Sequence, residues 1–168
     1  MPLEIERKFL VTDESYKSLA TSSSHITQGY ICSEHGRTVR VRLRDGRAYL
    51  TIKGPSTSGG LSRYEFEKEI TADEGLSLLR LCEPGVVEKC RWLVPCGGHV
   101  FEVDEFLGDN VGLTVAEVEL CAIDEPYERP PFLGDEVTGI RRYYNSQLRQ
   151  RPYKEWTSDE RNACQVVE

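Results

Sequence analysis

The chain has 168 residues, a formal net charge of −7 and a pI near 5.1. That length suits one domain with a sizeable core of its own, and the acidic balance argues against a basic nucleic-acid footprint, although a local arginine cluster can still hold an anion. No apolar run approaches the roughly 20 residues that cross a bilayer, and the N-terminus enters a charged strand rather than a signal peptide. Neither nucleic acid nor membrane is therefore expected as a partner, and the expected compartment is the cytoplasm.

The first stretch, EIERKF, alternates Glu4, Glu6 and Lys8 with Ile5, Arg7 and Phe9. Successive strand side chains point to opposite faces, so this reads as a strand with one charged side. Asp13 and Ser15 open a short helix through Leu19, TSSS at 21–24 is a loop, and His25 to Cys32 is a second strand. RTVRVRLRDGRAYLTIK is a hairpin, two alternating strands around Asp45-Gly46, with Arg40, Arg42 and Arg44 on one face and Val39, Val41 and Leu43 on the other.

GPSTSGG at 54–60 is a flexible loop by composition. The next strand sets Arg63, Glu65, Glu67 and Glu69 opposite Tyr64, Phe66, Lys68 and Ile70. Thr71 is a helix N-cap with Asp73 and Glu74 in the first turn and Leu76, Leu78, Leu79 and Leu81 on the apolar side, stopped by Pro84-Gly85. Strands follow at Val86 to Val94, His99 to Phe106 and Leu113 to Cys121, the first two joined as a hairpin at Pro95 to Gly98. A Pro-rich loop at 126–131 leads to a final helix around Arg141 to Arg149. Residues beyond Gln150 are polar and without period, so the expected organisation is one domain over 1–150 and a loosely ordered tail over 151–168.

Cys32, Cys82, Cys90, Cys96, Cys121 and Cys164 form no CxxC pair and no zinc-type spacing, and are expected to be reduced. His25, His35 and His99 have no matching partners as ligands.

Like charges recur two residues apart: Arg40/Arg42, Glu65/Glu67, Lys89/Arg91, Glu102/Asp104 and Glu117/Glu119. For any single strand, the plain reading is an antiparallel sandwich with Val39, Val41, Phe66, Val103 and Val118 facing a core and the charges facing water. Like charges about 7 Å apart along one strand repel, however, and need partners. If the sheet closes with its charged faces inward, acids of some strands meet bases of others in a polar lumen, for which a barrel of about eight strands is wide enough. Carboxylates in such a lumen suit Mg²⁺ or Mn²⁺, and its arginines and lysines suit phosphate oxygens.

ExExK at Glu4, Glu6 and Lys8, QGY at Gln28 to Tyr30, RVRLR, ExE at Glu117 and Glu119, and GDEVTGIRRYYN together resemble the CYTH, or triphosphate tunnel metalloenzyme, family over Leu3 to about Leu148. The resemblance implies an α+β, mainly β fold: an eight-stranded antiparallel closed β-barrel with a few flanking helices. It implies hydrolysis of a linear triphosphate with Mg²⁺ or Mn²⁺, and a chain opening EIERKFLV looks most like the bacterial inorganic triphosphatase branch. Thiamine triphosphatase, nucleoside triphosphatase and adenylate cyclase activities of the same family remain alternatives, as does a non-catalytic polyphosphate- or nucleotide-binding module. A homodimer is left open.

Position by position, the resemblance makes Glu4, Glu6, Glu117 and Glu119 the leading metal carboxylates, with Glu102 and Asp104 as further candidates. Glu65 and Glu67 are placed near the metals or the attacking water. Lys8, Arg40, Arg42, Lys53, Lys89 and Arg91 become the phosphate clamp, with Tyr30 orienting a terminal phosphate or a lysine. The implied catalytic set is Glu4, Glu6, Lys8, Glu65 and Lys89. Glu67, Glu102 and Asp104 serve equally well as struts for the basic wall, and Arg44 and Arg63 read as strut or surface residues, surface first. Ile140 departs from the family pattern, where an acidic residue is common.

Overall fold

The computed structural model describes residues 3–162. Nine strands form one antiparallel sheet: β1 (Leu3–Val11), β2 (Ser22–Glu34), β3 (Arg37–Arg44), β4 (Arg47–Lys53), β5 (Ser62–Ile70), β6 (Val87–Cys96), β7 (His99–Phe106), β8 (Thr114–Leu120) and β9 (Leu133–Glu136). Their spatial order is β5-β4-β3-β2-β6-β7-β8-β1-β9, and β1 also pairs with β5. Eight strands therefore close into a barrel at the register Leu3 with Tyr64, Glu4 with Arg63 and Ile5 with Ser62. β9 continues the β5 side of β1 beyond that closure, where Phe9 faces Glu136. No periodicity marks the sequence LGDE as a strand.

Three hairpins are closed by two-residue turns in which both residues have positive φ: His35-Gly36, Asp45-Gly46 and Gly97-Gly98. This geometry matches the twist of the flanking strands. Glycines fill four of these six positions without strain, while His35 and Asp45 accept the left-handed region. Around these turns β2 and β6 are longer than their sequence patterns suggest, the former beginning at Ser22 and the latter running to Cys96.

The outer wall of β1, β6, β7 and β8 is a dry core. Phe9, Phe101, Val103 and Val118 are fully buried there, under Tyr16 from α1 (Tyr16–Leu19) and Phe132. Tyr16 meets Trp92 and Phe132 edge-on, each with ring centroids 6.0 Å apart. The opposite wall is covered by α2 (Ala72–Leu79), which opens with the expected Thr71 cap: Thr71 and Glu74 exchange backbone and side-chain hydrogen bonds in a capping box. The helix lies so close to β4 that a Cβ on Gly75 would sit 2.4 Å from the Ala48 methyl. Beyond α2 the β4–β5 wall is uncovered by the described residues, and Phe66, expected to face a core, is 42% exposed.

The inside of the barrel carries the charges. Lys8, Arg40, Arg42, Lys89, Arg91 and Asp104 are all buried in the lumen wall, whereas the strand neighbours of Lys89 and Arg91 turn outward and Trp92 joins the outer core. The closed tunnel is thus the correct alternative to the sandwich.

One end of the lumen is filled by apolar side chains, Phe106, Val115, Tyr143, Leu148 and Trp156 among them. The expected helix over 141–149 is broken there into a 3₁₀ turn at Arg141–Tyr143 and α3 (Asn145–Leu148), because Tyr144 adopts an extended conformation at ψ 135°. The expected loose tail is also corrected for residues 151–162; positions 163–168 lie outside the described residues. The segment forms a 3₁₀ turn at Tyr153–Glu155 and α4 (Ser158–Asn162), and Trp156 is 5% exposed. Its ring stacks edge-on against Tyr143 and Tyr153, both at 5.1 Å, and its indole N–H donates to the Arg151 carbonyl at 3.1 Å. A single buried aromatic in an otherwise polar stretch gives no periodic signal, yet it is enough to anchor the segment.

Trp156→Ala should cost about 3–5 kcal/mol, as truncation of a buried aromatic does, and cutting the chain after Gln150 should cost at least as much. Thermal melts of both variants test this, and unchanged melting temperatures would restore the solvated tail.

Candidate active site

Alternation and antiparallel register decide what meets inside the barrel. On β1, Glu6 lies opposite Glu119 and Lys8 opposite Glu117 of β8, while Glu4 lies opposite Arg63 of β5. Across the ring, Gln28 of β2 faces Arg42 of β3, Thr51 of β4 faces both Arg40 and Glu67, and Lys53 faces Glu65. A cavity of about 250 Å³ results, lined by eight basic and seven acidic side chains.

The basic wall is held by charged hydrogen bonds, and each base keeps donors in reserve. Lys89 gives one hydrogen bond to Asp104 Oδ2 at 2.7 Å and one to Asn145 Oδ1 at 2.9 Å. Lys8 contacts Glu117 Oε1 at 3.3 Å and donates to the Tyr143 carbonyl at 3.2 Å. An ammonium has three N–H donors, so each lysine retains one for the cavity. Lys53 pairs with Glu4 at 2.8 Å. Arg91 grips Asp104 through Nε and Nη2 at 2.8 and 2.9 Å and reaches Glu102 through Nη1 at 2.6 Å. Arg40 reaches Glu67 through Thr51, which accepts from Arg40 at 3.2 Å and donates to Glu67 at 2.9 Å.

Asp104 therefore spends both oxygens on the basic wall. Burial would raise its pKa, but Arg91 and Lys89 hold it down at about 2. With both oxygens accepting from Lys89 and Arg91, Asp104 makes the contacts of a strut for the basic wall. One carboxylate cannot compensate two bases: Arg91 is held well above its ordinary value by Asp104 and Glu102, against the opposing effect of burial. Lys89 drops to about 7 through burial together with repulsion from Arg91 and Arg42. Arg42 drops to about 9 for the same reasons, burial first and then Arg40 and Arg91. A guanidinium does not lose its proton in a protein, so the shift registers an uncompensated buried charge.

The acids crowd the other side. Burial, then Glu117 and Glu4, push Glu6 well above the ordinary carboxylate range. Glu117 lies well below it despite burial, drawn down by Lys8 and Arg91. Burial, then Glu4 and Glu102, raise Glu119, and burial raises Glu65. All-oxygen donors whose ionisation is held back by their neighbours suit a hard divalent cation, which would relieve that repulsion. No three such groups converge on one cation position among the described residues, because Glu4 leans on Lys53 and Glu117 on Lys8. To ligate a cation, either carboxylate would have to turn from its lysine.

Every residue assigned to the clamp from the sequence lines this cavity, as do Glu4, Glu6, Glu65, Glu67, Glu102, Glu117 and Glu119. Arg44 and Arg63, read first as surface residues, also line it, because they continue the inward faces of β3 and β5. Arg44 lies over the Tyr49 ring at 5.1 Å, and Arg63 donates to Thr38 at 3.3 Å. Sequence reasoning missed Thr51 and Asn145 as partners of the clamp. Threonine in a strand carries no chemical signal, and Asn145 was visible only as part of the GDEVTGIRRYYN stretch.

The CYTH domain profile matches residues 2–149. A protein of Acetivibrio thermocellus named inorganic triphosphatase is 46% identical over 155 residues, covering 92% of this chain and 97% of that protein. A Nitrosomonas europaea protein of the same name is 34% identical over 150 residues, covering 86% and 95%. A solved structure of an inorganic triphosphatase superposes with a TM-score of 0.60 at 30% identity, covering 86% of this chain and 96% of that one. With the closed barrel, its inward charges and these matches, the chain belongs to the CYTH family.

Proposed function

We propose that this chain hydrolyses linear inorganic triphosphate to pyrophosphate and phosphate inside the barrel, assisted by Mg²⁺ or Mn²⁺. The observation that carries this reading is a wall of buried bases with donors in reserve facing a wall of carboxylates across one cavity. The names of the relatives at 46% and 34% identity agree with it.

Lys8, Lys53, Lys89, Arg40, Arg42 and Arg91 bind and orient the phosphates, the arginines through planar forks that match phosphate oxygens. Because these donors are already in place, they stabilise charge as it develops on the leaving pyrophosphate with little rearrangement. Tyr30, 4% exposed, adds a neutral donor beside Arg40. Glu4, Glu6, Glu117 and Glu119 would hold a divalent cation, which supplies neutralisation of phosphate oxygens and a lowered pKa for a bound water. Glu65, raised by burial, lies opposite Lys53 in the β4–β5 register. Asp104 and Glu102 keep Arg91 extended along the wall, and Asn145 and Tyr143 keep the two lysines on the cavity floor. The five described cysteines are free, in keeping with a cytoplasmic placement, and no described helix is long and apolar enough to cross a membrane.

Phosphate release should be fastest with tripolyphosphate in a panel that includes ATP, thiamine triphosphate and pyrophosphate, and should stop when Mg²⁺ and Mn²⁺ are withdrawn. A preference for ATP or thiamine triphosphate would move the assignment to another branch. Glu6→Gln should abolish turnover while leaving the melting temperature of the metal-free protein unchanged or higher, since the amide relieves repulsion from Glu117 and Glu4. Near-normal turnover at limiting metal would remove Glu6 from the site.

Lys89 gives a pH dependence with a definite sign. Its ammonium is half-formed near pH 7 in the ligand-free fold, and a polyanion raises that pKa. Binding of tripolyphosphate in EDTA should therefore take up a proton above pH 7, and affinity should fall as pH rises through this window. Calorimetry at pH 8 in buffers of different ionisation enthalpy reads the uptake as the difference from Lys89→Arg, which stays charged; no difference would contradict the shift.

A further inference from the structure

Gln28 is fully buried in the middle of the basic wall, opposite Arg42 in the β2–β3 register. Its Oε1 accepts a hydrogen bond from Arg42 Nε at 3.3 Å, and its Nε2 donates to the Tyr30 hydroxyl at 3.0 Å. Five of the six clamp bases lie within ion-pair distance of a carboxylate: Lys8 with Glu117, Arg40 with Glu67, Lys53 with Glu4, Lys89 with Asp104, and Arg91 with Asp104 and Glu102. Among the described residues Arg42 is the exception, and its one side-chain hydrogen-bond partner is the neutral amide. A glutamate would have the same shape at that position and would neutralise Arg42 in the pattern used by the rest of the wall.

We propose that Gln28 is a positioning residue whose neutrality is its role: it fixes Arg42 through Nε without cancelling the charge, so that both η nitrogens and the full charge remain for one phosphate group of the substrate. The same amide sets the polarity of Tyr30. A phenol that accepts from Nε2–H keeps its own O–H to donate, and Tyr30 lines the cavity. A carboxylate at position 28 would instead accept the Tyr30 O–H as a hydrogen bond, turning that donor away from the cavity. One atom therefore decides whether two phosphate donors are available. The arrangement costs the ligand-free fold an uncompensated buried cation near Arg40 and Arg91, in keeping with the depressed Arg42. This inference rests on the triphosphate reading of the cavity.

The test compares fold stability with affinity, because neutralising Arg42 moves the two in opposite directions. Tripolyphosphate in EDTA is titrated calorimetrically into wild type, Gln28→Glu, Gln28→Met, Arg42→Gln and Gln28→Glu/Arg42→Gln, with melting temperatures measured alongside. Gln28→Glu should bind at least roughly tenfold more weakly, the scale of one lost charged contact, while its ligand-free melting temperature holds or rises. Gln28→Met, which removes both hydrogen bonds but leaves Arg42 charged, should melt lower and lose less affinity than Gln28→Glu. In the Arg42→Gln background the cost of the glutamate should shrink to what Tyr30 accounts for, within about threefold.

Wild-type affinity in Gln28→Glu overturns the proposal, as does a methionine that costs as much as the glutamate, or a glutamate cost undiminished without Arg42. Should Gln28→Glu fail to fold, Arg42→Gln decides: it must bind at least roughly tenfold more weakly without melting lower, and unchanged affinity overturns the proposal. Failure of wild type itself to bind would instead overturn the triphosphate reading of the cavity.

Discussion

Like charges buried two residues apart on one strand are the constraint on which this structure depends. A pair such as Arg40 and Arg42, or Glu117 and Glu119, is tolerable on a solvated face and costly inside, unless a neighbouring strand brings opposite charge to the same height. Closure of the ring through Leu3, Glu4 and Ile5 achieves this. It sets Glu4 within reach of Lys53, while the β1–β8 register sets Lys8 against Glu117 and the β6–β7 hairpin sets Asp104 against Arg91 and Lys89. Buried ion pairs of this kind contribute little net stability, yet removing one partner is severe because it leaves an unpaired buried charge. The apolar material that stabilises the fold therefore lies elsewhere, on the outer wall under Tyr16 and Phe132 and in the plug around Phe106 and Trp156.

Compensation in the lumen is deliberately incomplete. Glu6 and Glu119 are raised by burial and by their acidic neighbours, Lys89 and Arg42 are lowered by burial and by their basic ones, and these shifts mark the two places where charge is still wanted. A cation on the acid side and a polyanion on the basic side would relieve both at once. Pre-arranged, partly unsatisfied charge in a low-dielectric cavity is what phosphoryl transfer asks of a protein, since positioning and electrostatic stabilisation supply most of the rate. The fold stores that need as an energetic cost in the ligand-free protein.

The floor of the cavity ties the far end of the chain to its beginning. The Tyr143 carbonyl holds Lys8, the Tyr144 ring lies 5.4 Å from the same ammonium, and Asn145 holds Lys89. These three residues sit where the expected helix is broken, and the break turns them toward the lumen. Behind them Leu148 and Trp156 close the barrel end, so the plug that stabilises the fold is also the back wall of the clamp.

Much of this was legible in the sequence because strand alternation is a local property. Glu4, Glu6 and Lys8 share a face whatever the fold, as do Arg40 with Arg42 and Lys89 with Arg91, and Asp45-Gly46 closes its hairpin by its own backbone preferences. Adding pairs of opposite sign was enough to suggest a closed lumen, and the resemblance carried the rest of the clamp. What remained hidden depends on the register between strands. Asp104 is two residues from Glu102 and looks equivalent to it, yet only the barrel shows that Arg91 and Lys89 consume both of its oxygens. Arg44 and Arg63 continue the charged faces of β3 and β5 by alternation, but only the closed barrel shows that the cavity extends as far as these two residues. Asn145, Trp156 and Gln28 take their meaning from partners more than ten residues away, at Lys89, Tyr143 and Arg42. Periodicity determines which way a side chain points, but only tertiary pairing determines what it meets and how much of its charge is left.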